Sequence, residues 1–418
     1  LPGIESFMQP SIWITSAIIL ITYVGIAIGY IPRFQLNRTT ITVVGVGLLL
    51  LFGQINFNQI INFIDMDTIV LLFSMMVINA NLRLAGFFKL TGVALLHLTR
   101  KPRVFLAIEI LLVGILSAFF LNDTICLMLT PFLLDLLLVI DRNPIPYLIA
   151  LATAANIGSV ATLTGNPQNM IIGVASKIGY TQFAGALLPV ALLGLGVIWC
   201  VLVLTYRQEF ATRNYFKIIP TQTLRYHKPL LLKTLIVTAG MLLAFLLGVP
   251  VALAAFLAAC VLLVTRRVKP EKIFAAFDWE ILVFFSALFI LTGSLDANGV
   301  TQVLLTKVNP GGQVNAVNLS LITALLSNLV SNVPAVMLLK PLVLSMAQQT
   351  AGWLTLAAAS TLAGNFTLLG SVANLIVAES AKKRRVTLGF WEYTRSGLVI
   401  TLISLAISIF WLSLTAWK

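Results

Sequence analysis

Apolar runs close to the roughly 20 residues that a helix needs to cross about 30 Å of hydrocarbon recur along the whole chain. They extend approximately from Ile12 to Ile31, Thr40 to Phe52, Thr68 to Leu82, Phe183 to Leu204, Leu230 to Leu247, Val251 to Val264, Ile281 to Leu295 and Thr394 to Leu414. Of the 418 residues, 59% are hydrophobic and 10% charged, against about a quarter charged in soluble domains. A soluble core cannot absorb so many apolar runs, and a chain this apolar does not stay disordered. The sequence reads as an all-α polytopic membrane protein of about ten transmembrane helices.

Two further stretches, Val104 to Ile140 and Val314 to Met346, are too long for one crossing, and each is interrupted near its middle by polar residues. The interruptions are Leu121-Asn122-Asp123-Thr124 and Ser331-Asn332-Val333-Pro334. As one helix, either stretch would measure on the order of 50 Å. Two re-entrant hairpins are expected instead, with their polar tips lining a cavity, where irregular backbone is tolerated at membrane depth.

The chain carries 27 basic and 14 acidic side chains, a net charge of +13. The basic residues lie in short clusters between apolar runs rather than on one polar face, which fits membrane orientation and not nucleic acid. The clusters at Arg33 and Arg38, Arg83 to Arg103, Arg142, Arg207 to Lys233, Arg266 to Lys272 and Lys382 to Arg385 fall on one side if both termini are outside. An inner, plasma-membrane location in a bacterium is expected, with no cleavable signal peptide. Cys126, Cys200 and Cys260 lie in apolar segments without metal-ligand or redox spacing, so no disulfide framework, metal site or cofactor is expected. Neither HExxH nor GxSxG occurs, and an enzyme is not expected.

The most informative feature is internal similarity. Thr68 to Ser74 resembles Glu280 to Ser286, and Ser117, Asn122 and Pro131 recur at the same spacing as Ser327, Asn332 and Pro341. Asn156, Thr162, Gly165 and Asn169 correspond to Asn365, Thr367, Gly370 and Asn374. The expected organisation is a first repeat over 1–205, a basic cytoplasmic linker over 206–229 and a second repeat over 230–418. Each repeat has three spans, a hairpin, a span broken at an Asn- and Gly-rich centre, and a closing span. An odd number of crossings inverts the second repeat relative to the first, so the two hairpins oppose each other.

The expected binding centre comprises Asn122, Asp123 and Thr124 at the first tip and Ser331 and Asn332 at the second. The broken spans add Asn156, Thr162, Gly165, Asn166 and Asn169 from the first repeat and Asn365, Thr367, Gly370, Ser371 and Asn374 from the second. Gly and Pro let the backbone leave the helix, and freed carbonyls together with Asn and Thr side chains can coordinate an ion or an oxygen-rich solute. Asp123 is the sharpest single residue, because a membrane-embedded carboxylate is by default functional. It is the candidate proton carrier. Its counterpart is Val333, so the two half-sites are chemically unequal. Glu109 and Asp135 are the other acids in apolar surroundings to watch.

The Ser117 to Pro131 pattern, the Gly165-Asn166-Pro167-Gln168-Asn169 core and the Ser327 to Pro341 repeat resemble the ion transporter superfamily over nearly the whole chain. Within it the likeness is to ArsB-type arsenite permeases and related anion permeases. Sodium-coupled dicarboxylate symporters and sodium/proton antiporters look like more distant relatives. The resemblance implies a scaffold domain, a moving transport domain and elevator-like alternating access, and it allows a homodimer and a soluble ATPase partner. The sodium symporters carry Ser-Asn-Thr at both tips, whereas this chain has Asn122-Asp123-Thr124 and Asn332-Val333-Pro334. The activity implied is proton-coupled efflux of arsenite or antimonite. The alternatives are a sodium- or proton-coupled permease for dicarboxylates or inorganic anions, and a sodium/proton antiporter.

Overall fold

The computed structural model describes all residues except 1–9, 32–35, 100, 212–225, 265–267, 304–313 and 418, and the side chains of 10, 30, 31 and 93–98. Much of the basic linker, as well as Arg33, Arg100, Arg266 and Arg267, lies outside the described residues.

The first repeat begins with α1 (Pro10–Ile28), followed by a minimal antiparallel ladder of β1 (Tyr30–Ile31) and β2 (Leu36–Asn37). Next come α2 (Arg38–Leu51), the short α3 (Phe57–Phe63), α4 (Met66–Ala85) and α5 (Phe87–Leu98). Asn37 starts α2 with a capping box to Thr40, and Asp65 starts α4 by accepting from the Thr68 amide. Gly86 ends α4 in the left-handed region, at φ 84°.

The first hairpin is α6 (Pro102–Phe119) and α7 (Asn122–Val139). The broken span is α8 (Ile145–Ser159) and α9 (Pro167–Ser176), and α10 (Tyr180–Thr205) closes the repeat.

The second repeat runs through the same series. It comprises α11 (Lys228–Leu246), α12 (Val251–Leu263), the short α13 (Pro270–Phe274) and α14 (Trp279–Ala297). The hairpin α15 (Ala316–Val330) and α16 (Asn332–Leu344) follows, then the broken span α17 (Gln349–Ala363) and α18 (Val372–Lys382), and finally α19 (Phe390–Thr415). With an odd number of crossings in the first series, the second stands inverted.

Eight helices among the described residues are long and apolar enough to cross a membrane, and α2, α8, α12, α15 and α16 are shorter apolar helices. At 26 residues, α10 and α19 measure about 39 Å, longer than the hydrocarbon is thick, and they pack against each other.

Packing sorts the helices into two groups. α4 lies against α11 and α12, and α14 lies against α2, so the opening spans of the two repeats interlock. The hairpins and broken spans pack among themselves, with α6 on α8, α15 on α17, and α7 on α18. α8 is buried along its whole length and α17 from Ala351 to Ala363, with no charged residue in either helix. Gly158 of α8 meets the backbone of Gly114 in α6 where a Cβ would stand, so the two helices approach with only hydrogens between them.

Two expectations change. The stretch between Leu82 and the first hairpin, expected as a basic loop, contains α5, whose 12 residues are too few to span. Gly86 stops one helix, and the apolar Phe87-Phe88 start begins another. The pairing of Asn156 with Asn365 also fails: Asn156 lies inside α8, three residues before its end, whereas Asn365 lies two residues past the end of α17. At the constant offset of 205 residues that relates Thr162, Gly165 and Asn169 to Thr367, Gly370 and Asn374, the residue in Asn156's place is Thr361. Register relative to the break repeats, not residue type.

Candidate functional site

The site grows from two chain breaks and two hairpin tips. Residues 160–166 carry Thr162, Gly165 and Asn166, and Pro167 restarts the chain as α9 with Asn166 as its N-cap, accepting from the Asn169 amide at 2.8 Å. Residues 364–371 carry Asn365, Thr367, Gly370 and Ser371, and Ser371 caps α18.

Inside each break one asparagine ties the loose carbonyls. Asn169 Nδ2 donates to Ser159 O at 3.0 Å and Thr162 O at 2.9 Å. Asn374 Nδ2 donates to Gly364 O at 2.8 Å and Thr367 O at 3.1 Å. These carbonyls therefore accept protein amides.

The two breaks then bind each other. Asn156 Nδ2 donates to Asn365 Oδ1 at 2.8 Å and Asn374 Oδ1 at 3.1 Å, while its Oδ1 accepts from Ser371 Oγ at 3.2 Å and from Asn122 Nδ2 at 3.0 Å. Reciprocally, Thr361 Oγ1 accepts from Asn166 Nδ2 at 3.3 Å and Gln168 Nε2 at 3.1 Å. In each repeat the last turn of the buried helix thus holds the N-cap residue of the other repeat.

The first hairpin tip is fastened to its own break. The Asn122 amide donates to Gly165 O at 3.0 Å, and Thr162 Oγ1 donates to Ala118 O. Phe120 and Leu121 form the turn with negative φ. The second turn is a single residue, Ser331, at φ 79° and ψ 161°. Asn332 follows it as the first residue of α16, as Asn122 is the first of α7. At both tips a buried acceptor, Asn122 Oδ1 and Asn332 Oδ1, has no partner.

Asp123 and Thr124, in the first turn of α7, line a cavity between the two helix groups. Leu121, Pro167 and Ile376 complete the hairpin side, and Asn79 and Arg83 of α4 with Asp278 before α14 form the other. No ion pair among the described residues holds Asp123. Burial first, and then Glu280 nearby, push the Asp278 carboxyl above its ordinary value.

Of the expected residues, Asp123 and Thr124 line the cavity, and Asn122, Asn156, Asn166, Asn365, Ser371 and Asn374 form the amide network behind it. Thr361, Gln168 and Asn79 were not expected; matching the repeats at the 205-residue offset of their breaks would have found Thr361, and an amide inside an apolar run marks Asn79. Asp135 is exposed and forms a two-pronged ion pair with Arg384, at 2.5 Å and 3.0 Å, between α7 and the end of α18. Glu109 is buried with both carboxyl oxygens unpartnered. No group of His, Cys, Asp and Glu suited to a metal ion occurs among the described residues.

Comparison with known proteins is consistent with this architecture. A family model, CitMHS, described as a citrate transporter, matches residues 17–363. This chain belongs to that family. A silicon efflux transporter of Oryza sativa subsp. japonica, LSI3, is 32% identical, with 91% of this chain and 93% of that protein covered. A 46 kDa membrane protein of Mycobacterium leprae is 28% identical over 94% of this chain and 97% of its own length. A putative transporter, arsB, of Dictyostelium discoideum is 24% identical over 97% and 92%. The crystal structure of the YdaH transporter of Alcanivorax borkumensis, described as having an unusual topology, superposes with a TM-score of 0.61 over 97% of this chain and 99% of that one, at 14% identity. The CitMHS chain described here is an integral membrane transporter.

Proposed function

We propose that this CitMHS protein exports a small uncharged oxyacid, arsenous or antimonous acid or the chemically similar silicic acid, in exchange for protons carried on Asp123. The observation that carries this reading is Asp123 at the tip of the first hairpin, lining the cavity with no ion-pair partner. A carboxylate so placed can load and release a proton. It also disfavours a dianion, because like charges are poorly screened where the dielectric is low. Arsenous and silicic acids are neutral near pH 7 and present only hydroxyl groups, which Asn and Thr side chains can bind. The relatives described as a silicon efflux transporter and as arsB point the same way.

The two packing groups supply the parts for an elevator, in which the hairpins and broken spans move as one body against α4, α11, α12 and α14. Coupling requires the amide network to survive that motion intact, since it ties both breaks together. A homodimer joined through the stationary group, termini outside an inner membrane, and a soluble ATPase on the cytoplasmic face belong to the same proposal.

A second reading, permeation of citrate or another polycarboxylate, draws on the family description and on Arg83 in the same cavity. Uptake into everted membrane vesicles separates the two. Labelled arsenite, germanic acid as a silicic acid analogue, and citrate are each offered with and without an acid interior. The expected result is gradient-dependent uptake of an oxyacid, abolished by Asp123→Asn. Citrate uptake preserved or improved by that substitution would overturn the oxyacid assignment.

A further inference from the structure

α4 contains two buried asparagines, Asn79 and Asn81, that behave differently. Asn81 bonds within its own helix, its Nδ2 donating to the Val77 carbonyl one turn back at 2.8 Å, so that only its Oδ1 is unmet. Asn79 is 4% exposed, and neither its Nδ2 nor its Oδ1 has a hydrogen-bond partner. It lines the cavity that holds Asp123 and Thr124, and Arg83 lines it one helical turn further along α4. An amide with both ends unmet is costly to keep in an apolar helix unless something in the cavity completes it.

From this arrangement we infer that Asn79 is a solute-binding and specificity-determining residue, contributed by α4 to face the hairpin tip. An amide offers a donor and an acceptor together. A hydroxyl group uses both, whereas a carboxylate can use only Nδ2 and would face the Oδ1 dipole. Asn79 thereby selects a hydroxyl-bearing, uncharged solute over a carboxylate, a role that rests on the functional reading above. Because α4 packs mainly with α11 and α12 and more lightly with α9 of the hairpin group, the contact is made in this arrangement and broken when the hairpin group moves away. Solute release is then coupled to the motion.

The test uses the full chain in proteoliposomes, comparing the wild type with Asn79→Leu and Asn79→Gln, and with labelled arsenite, germanic acid and citrate as probes. Asn79→Leu is expected to raise the half-saturating oxyacid concentration about tenfold, with the maximal rate changed less than about twofold, and Asn79→Gln to recover part of the loss. Thermal melting of the solute-free protein is measured in parallel. Asn79→Leu should melt no lower than the wild type, because it removes two unmet polar groups. A lowered melting temperature with unchanged half-saturation would overturn the inference and make Asn79 a structural residue. If the wild type moves citrate and neither oxyacid, the functional reading falls separately. The same substitution then still decides the binding role: an unchanged half-saturating citrate concentration removes it, and a tenfold rise keeps it.

Discussion

Asn169 and Asn374 close the two helix breaks in the same way: each side-chain amide donates to the carbonyls seven and ten residues before it. In a membrane interior a backbone carbonyl without a donor is expensive, and a chain that leaves the helix exposes several. One asparagine per break meets two of them, which lets an irregular segment stand between α8 and α9 and between α17 and α18. Replacing Asn169 or Asn374 by Leu should therefore lower the apparent melting temperature sharply, by a loss on the order of 2–4 kcal/mol for two orphaned acceptors. Fluorescence-detected size exclusion after heating would register it. A variant as heat-stable as the wild type would mean that water or backbone shifts satisfy the carbonyls instead.

Gly165 permits the first break to fold onto the first hairpin. A Cβ on it would meet Ser159 O at 2.5 Å and Ser117 O at 2.8 Å, both backbone atoms that cannot swing aside. Gly370 has the matching neighbour, Gly364 O at 2.9 Å, but its next contact is the Asn328 side-chain oxygen at 3.0 Å, which can move. Gly165→Ala should accordingly cost more than Gly370→Ala. The expected difference is one or more kcal/mol by the usual cost of overpacking, about 1–3 kcal/mol, visible as a lower yield of monodisperse protein and a lower melting point. Equal loss in the two variants would contradict the asymmetry.

These contacts mark how far the sequence was legible. Spans, hairpins and breaks could be read because each is written in local patterns: apolar windows, an Asn-led polar step between apolar legs, and Gly-Asn-Pro where a helix restarts. The equivalence of Asn156 and Asn365 could not be read that way. Identical letters invited the match, while the register of the breaks, a constant offset of 205 residues from Thr162, Gly165 and Asn169 to Thr367, Gly370 and Asn374, puts Thr361 in the place of Asn156. The two asparagines meet all the same, at 2.8 Å, as partners across the pseudo-symmetry rather than as copies under it. Asn79 and Asn81 look alike in sequence, and only tertiary placement tells that one bonds within its helix and the other does not. Asp135 and Arg384 lie far apart in the chain, so an ion pair between them had no local signature.

Ser331 turns the second hairpin at φ 79° and ψ 161°, a region used almost solely by glycine, while the corresponding Leu121 has an ordinary φ of −54°. The strain is confined to the hairpin that lacks an acidic residue at its tip. Ser331→Gly should relieve it and raise stability by about 1–3 kcal/mol, whereas Ser331→Ala should not. If the strain also helps the tip to switch between arrangements, transport by the glycine variant slows as its melting point rises. A destabilised Ser331→Gly protein would show instead that the hydroxyl, and not the backbone, is what the position requires.

Asp278 supplies a pH test whose sign is fixed by its surroundings. Its carboxyl is held above the ordinary value, first by burial and then by Glu280, despite backbone amides of Ile281 and Glu280 that pull it down. A group with a raised folded-state value binds its proton more tightly folded than unfolded, so stability falls as pH rises from the ordinary carboxylate range through the raised value. Below the ordinary range both states are protonated and the contribution favouring the folded state is fully present. Asp278→Asn keeps an oxygen for the two backbone amides and removes the charge, so it should raise the melting temperature at pH 7 and leave it little changed near pH 3.5. Melting curves of both proteins across that interval decide the matter. A substitution that stabilises equally at both pH values, or destabilises at pH 7, would place the ionised carboxylate in a favourable contact that burial and Glu280 do not predict.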